Sequence, residues 1–192
     1  MRKLTYILLL ICSVVHAQSN KVLHPMIHTL QTIVNNDWLH DDVITLGTEE
    51  WVEISFDHLS HDYHRFVYKI IHCNADWNPS DLFEVDYMEG FNNRPIEDYE
   101  NSLNTTMLYT HYHLCLPNED IQLKVSGNYR VEIYLDEEDS PSDKPVAVAC
   151  FRIVEPLVAL SASVTSNTDI DTNLSHQQVS FTINYNGYNV VD

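Results

Sequence analysis

Glycine is scarce, with four in 192 residues. Turns must therefore lean on Asn, Asp, Ser and Pro. Basic residues are also few: ten Lys and Arg stand against 28 Asp and Glu, for a formal net charge of −18. Such a surface repels nucleic acid and anionic lipid, which argues against either as a direct partner. The sequence has four cysteines. Cys12 falls in an N-terminal address segment, which leaves Cys73, Cys115 and Cys150. An odd count cannot close into a disulfide framework, and no pair has zinc-knuckle spacing. One bridge plus one thiol, or buried thiols behaving as small hydrophobes, both fit. The one sustained apolar run, Ile7 to Val15, is too short to span a bilayer of roughly 30 Å.

That run has a basic flank (Arg2, Lys3) and ends at Val15-His16-Ala17, so residues 1–17 read as a signal peptide. Ile11 before Cys12 is too large for a lipoprotein site. Removing Arg2 and Lys3 takes the charge from −18 to −20. The mature chain is expected to be exported and soluble, without direct membrane insertion.

Beyond a leader at 18–27, residues up to 40 show no sustained period, with room for a short edge strand, and short strand patterns then follow one another. Val43 to Leu46 ends at Gly47. Trp51 to Phe56 alternates, with Val52, Ile54 and Phe56 inward and Glu53 and Ser55 outward. Phe66, Tyr68 and Ile70 share a face of a strand over 65–73, which stops in a polar corner containing Asn74, Asp76, Asn78, Pro79 and Ser80. Trp77 lies among these turn formers and is expected to pack back onto the sheet. Residues 80–101 are irregular, with Ser80 a candidate cap for a helical turn. Strands return over 107–116, over 129–135 (Tyr129, Val131, Ile133 and Leu135 on one face) and over 146–154, with an acidic hairpin tip at 136–144. The pattern predicts an all-β, immunoglobulin-like antiparallel β-sandwich over 28–156. After Pro156, a strand pair over 157–192 reads as the start of a second, truncated β domain.

Sites that could carry chemistry are few. His58, His61 and His64 would cluster on a helix but scatter across a turn and a strand start. His111 and His113 share a strand face and are weak metal candidates; lacking a supporting motif, they read as solvated polar residues. His72 and Cys73 are adjacent on a strand, point to opposite faces and cannot form a nucleophile–base pair. No nucleophile elbow, phosphate loop or dinucleotide fingerprint is present, so neither enzyme activity nor a cofactor is expected. The candidate binding residues are Trp77, Phe83, Tyr87, Phe91 and Tyr99, since aromatics combine apolar area with a polar handle. About half of them are expected in a local mini-core under the loop.

Several short segments, in order, carry a resemblance. They are Tyr-Lys-Ile-Ile-His-Cys-Asn-Ala-Asp-Trp-Asn-Pro-Ser-Asp (68–81), Tyr87, Gly90 and Phe91, Thr110-His111-Tyr112 leading to Leu116-Pro117-Asn118-Glu119-Asp120, Ser126-Gly127-Asn128-Tyr129, and Val154-Glu155-Pro156-Leu157-Val158. Across roughly 28–160 the chain resembles the N-terminal domain of the type IX secretion system plug protein of Bacteroidota-type bacteria. The resemblance implies a non-enzymatic periplasmic protein that reversibly closes the periplasmic mouth of a large outer-membrane translocon barrel, its partner. It implies no catalytic residues. An exported sandwich binding glycan or peptide through the aromatic loop is the alternative.

Overall fold

The computed structural model describes residues 20–136, 143–166, 168 and 176–185. The expected signal peptide and most of the acidic hairpin tip lie outside the described residues. The chain divides into two compact units, the first ending at Val154 and the second starting at Glu155.

The first unit is an all-β sandwich. One sheet is built on β5 (Phe66–Cys73), β11 (Gly127–Leu135) and β12 (Ala147–Val154), with β7 (Arg94–Pro95) beyond β5. Its other edge is shared: β1 (Lys21–Val22) pairs antiparallel with β12, and β3 (Val43–Thr45) pairs parallel with it. The second sheet runs β2 (Ile27–Val34), β4 (Val52–His58), β9 (Thr110–Leu116) and β8 (Asp98–Asn101). A small ladder joins β6 (Met88–Glu89) to β10 (Gln122–Leu123), next to the single-turn helix α1 (Glu84–Tyr87).

The core follows from period-two patterning. Val52, Ile54 and Phe56 face Phe66, Tyr68 and Ile70 across the sandwich, and Tyr129, Val131 and Ile133 complete the layer with Ala149 and Phe151. Phe56 meets Phe66 edge-on at 5.1 Å between ring centres and stacks on Tyr112 at 5.2 Å. Ser55, expected outward, is nevertheless buried. Its cross-strand neighbours are Gln31 and His113, both with longer side chains.

Two expectations for the N-terminal region need correction. The segment before residue 40 contains the eight-residue β2, with Ile27, Ile33 and Val34 buried. A register shift between His28 and Gln31, where Thr29 adopts φ 53°, breaks the alternation that would have revealed it. Within the expected leader, Lys21–Val22 is tied into the first sheet through β12.

In the second unit, β13 (Ala159–Thr165) and β14 (Gln178–Asn184) form an antiparallel hairpin. Its register aligns Leu160 with Ile183, Ala162 with Phe181 and Val164 with Val179, so one face is apolar; all six side chains are exposed.

Candidate functional site

The polar corner forms because β5 runs out into residues that bond their own backbone. Asn74 donates its N–H to the Asn78 carbonyl (2.8 Å) and Trp77 donates to the Asn74 carbonyl (2.9 Å). The Asp76 carboxylate accepts from the Asn78 side-chain amide at 2.6 Å. Trp77 itself adopts φ 65°, a left-handed conformation rare for a bulky residue. Trp77 is partly buried, between core and surface.

His72 clamps this corner to the strand beyond it. Its Nδ1 lies 2.8 Å from the Ser80 hydroxyl and its Nε2 lies 3.2 Å from the Ser126 carbonyl. The ring meets Tyr129 edge-on at 5.2 Å and stacks on Tyr87 at 5.8 Å. A Cβ on Gly127 (φ 146°) would sit 2.3 Å from His72 Nε2, so glycine here leaves the room that the imidazole occupies. Ser80 is thus engaged with His72, and the helical turn starts later. Asp86 Oδ2 accepts the Phe83 N–H at 3.0 Å, half of a capping box. Cys73, adjacent to His72, points out of the other face towards Arg130, which leaves imidazole and thiol apart as expected. Burial pushes the Cys73 thiol above its ordinary range. Cys73 and Cys150 are buried, and Cys115 is exposed.

The aromatic loop stands on this base. Tyr87 is a core residue whose hydroxyl donates to the Ile70 carbonyl at 3.0 Å. Asn92 accepts the Ile70 N–H at 2.7 Å and donates to Glu84 at 2.8 Å, tying the Phe91 side of the loop to α1. Lys124 donates its N–H to the Tyr87 carbonyl (2.9 Å) and its ammonium to Val85 O. Gly90 (φ 113°) passes so close to the Asp120 carbonyl that a Cβ would lie 2.2 Å away. On this framework Phe83 and Phe91 are 76% and 78% exposed, with Leu82 and Val85 exposed beside them. Tyr99 does not join the group: it lies on β8 in the other sheet, against Tyr63 (4.9 Å) and Tyr112 (5.8 Å). Of the five aromatic candidates, one is core, one is elsewhere, and Phe83 and Phe91 with the half-covered Trp77 remain at the corner. Leu82 and Val85 escaped the sequence reading, because exposed aliphatic residues carry no signal of their own.

His111 and His113 do share an outward face, with rings 4.3 Å apart. Each is held by a carboxylate across the strand, His111 by Asp57 (2.5 Å) and His113 by Glu53 (3.3 Å). Among the described residues, no group of three or more His, Cys, Asp and Glu is placed to hold a metal. His58 and His64, expected to scatter, bring their rings to 4.3 Å, while His61 bonds the Ser102 carbonyl at 3.0 Å.

Parts of the segments that carried the resemblance converge in space: His72, Ser80, Tyr87, Gly90, Asp120, Ser126, Gly127 and Tyr129 belong to one clamp, whereas Thr110-His111-Tyr112 lies in the other sheet. A family described as "Type 9 secretion system plug protein 1st domain" matches residues 27–155. Among solved structures, a hypothetical protein from Parabacteroides merdae ATCC 43184 is 46% identical over 92% of this chain, with a TM-score of 0.74. The chain spans 44% of that protein's length. No curated protein matches. The family match runs from the first residue of β2 to just past the last of β12, and the chain belongs to the type 9 secretion system plug protein first-domain family, a secretion component and not a known family of enzymes.

Proposed function

We propose that this protein is a periplasmic plug that reversibly closes the periplasmic mouth of the outer-membrane translocon barrel of the type 9 system. The corner end is its contact, through Phe83, Phe91 and Trp77. The observation that carries this contact is the pair of large aromatic rings left exposed on a tightly hydrogen-bonded base. Rigid aromatic anchors lose little conformational entropy on binding, which suits them to an interface. Reversible sealing also calls for a polar, partly wet contact instead of a large greasy one. The acidic side chains around the rings (Asp81, Glu84, Asp86) provide that rim. Residues 157–192 begin a second β domain in this reading, whose further strands would cover the apolar face of the β13–β14 hairpin.

The test uses the full-length protein and its purified barrel. Wild type should co-elute with the barrel and lower its ion conductance, and Phe83→Ser with Phe91→Ser should weaken binding at least tenfold. Association should slow as salt shrinks the Debye length from about 10 Å to about 3 Å. An absence of barrel binding together with retention on a polysaccharide column would replace the plug reading with that of a glycan-binding module.

A further inference from the structure

The sandwich has a second exposed apolar feature, at the end opposite the corner. The loop joining β8 to β9, residues 102–109, contains no charged side chain, in a chain where one residue in five is charged. Its base is closed twice: Ser102 donates its N–H to the Tyr109 carbonyl at 2.9 Å, and Tyr109 donates its N–H to the Ser102 hydroxyl at 3.0 Å. His61 holds the Ser102 carbonyl from the side, and the Thr105 hydroxyl donates to the Met107 carbonyl at 2.7 Å. From this closed base Leu103, Met107 and Leu108 project at 82%, 62% and 55% exposure. Beneath it a line of aromatic rings, Tyr63, Tyr99, Tyr112 and Phe56, runs from the surface into the core in steps of 4.9, 5.8 and 5.2 Å.

Beside the loop lies a hollow of about 380 Å³, lined by Leu103, Tyr109, Asp57, His111 and Glu100 among others. Asp57, His111 and Glu100 form one cross-strand row over β4, β9 and β8. The row places two carboxylates about one imidazole at the foot of an apolar finger. A hollow of this size and sign suits one cationic side chain.

We infer that this distal end is a second docking surface, for a protein segment that presents a Lys or Arg beside apolar residues: the cation enters the hollow beside Glu100 and the Asp57–His111 pair, and the apolar residues pack on Leu103, Met107 and Leu108. The sign of the hollow argues for a protein, because carboxylates at the base of the finger would repel the headgroups of an anionic membrane. The inference rests on the plug reading for the identity of the partner, the translocon barrel. The sandwich would then be held at both ends, which raises avidity without requiring either contact to be strong.

The experiment measures binding of the full-length protein to the purified barrel for wild type, for Leu103→Ser/Met107→Ser/Leu108→Ser, and for Glu100→Lys. These side chains are exposed, so melting temperatures should stay at the wild-type value. The triple variant should bind at least tenfold more weakly, and Glu100→Lys several-fold more weakly with a flatter salt dependence. Wild-type-like binding by both variants, while Phe83→Ser/Phe91→Ser abolishes it, would overturn the distal surface and leave the plug reading standing. Failure of wild type to bind the barrel would remove the plug reading and this inference together. Flotation of wild type, but not of the triple variant, with zwitterionic phosphatidylethanolamine vesicles would overturn the inference in favour of a membrane contact.

Discussion

The two ends of the sandwich are closed by different physics. At the corner end, closure is polar and close-set: His72 bridges Ser80 and Ser126, Asn92 brackets Ile70, Gly90 lets chain touch chain at Asp120, and Gly127 leaves room for the His72 ring. At the distal end, hydrogen bonds close only the base of the 102–109 loop, and beneath it the packing is aromatic: Phe56, Phe66 and Tyr112 pack ring against ring, with Tyr112 exchanging hydrogen bonds with the His64 backbone at 3.0 Å each way. Hydrogen bonds are directional and modest in net free energy, so they specify geometry. Burial of aromatic area is less directional and larger, so it supplies stability. The corner is thus expected to lose shape before it loses stability, and the distal end the reverse.

The largest effect should come from alkali, which acts on both ends at once. Burial raises the phenol pKa of Tyr129 and Tyr87 at the corner, of Tyr112 at the distal end and of Tyr68 between them. Tyr134, beside Glu132, is pushed up to about 12, mainly by burial. A phenol whose folded pKa exceeds its unfolded value of about 10 contributes stability that is complete below pH 10. That contribution is lost as pH rises through the folded value. Unfolding midpoints measured from pH 8 to 12 should stay flat and then fall steeply above pH 10, with amide exchange rising at both ends together. Loss of protection at one end only would separate the two.

Next in size is Phe56→Ala at the distal end. Removing a fully buried ring from the aromatic stack should cost about 3–5 kcal/mol in denaturant unfolding. A cost below that of a surface change would break the claim that this end carries the stability.

Gly90→Ala tests the corner. Positive φ and the Asp120 carbonyl together predict about 3 kcal/mol or less, together with a displaced aromatic loop. Chemical shifts of Phe91 and Asn92 should move more than those of Leu103 and Met107. Unchanged stability and unchanged shifts would show that the approach is not tight.

The smallest effect is expected for Trp77→Ala. Trp77 is partly buried and its backbone is in the left-handed region, so the loss should be about 2 kcal/mol, below that of a fully buried indole. A loss above about 3 kcal/mol would show that the ring anchors the corner after all.

Period-two alternation was legible from the amino-acid order alone, because a strand must put successive side chains on opposite faces. Val52, Ile54 and Phe56, then Phe66, Tyr68 and Ile70, then Tyr129, Val131 and Ile133 defined the core in that way. So did the polar corner, since Asn, Asp and Ser bond locally wherever they cluster. The motif segments were readable one by one, and their order identified the family. Tertiary structure alone decided the rest. The bulge at Thr29 hid β2 from any periodic reading. The pairing of the two sheets sent Tyr99 to the distal aromatic stack and left Phe83 and Phe91 outside. It also placed Asp57, His111 and Glu100 in one row beside Leu103, although Asp57 and His111 are 54 positions apart in sequence. Local sequence determines which face a side chain takes; which strands become neighbours depends on long-range burial, and a site assembled across strands exists only after that choice is made.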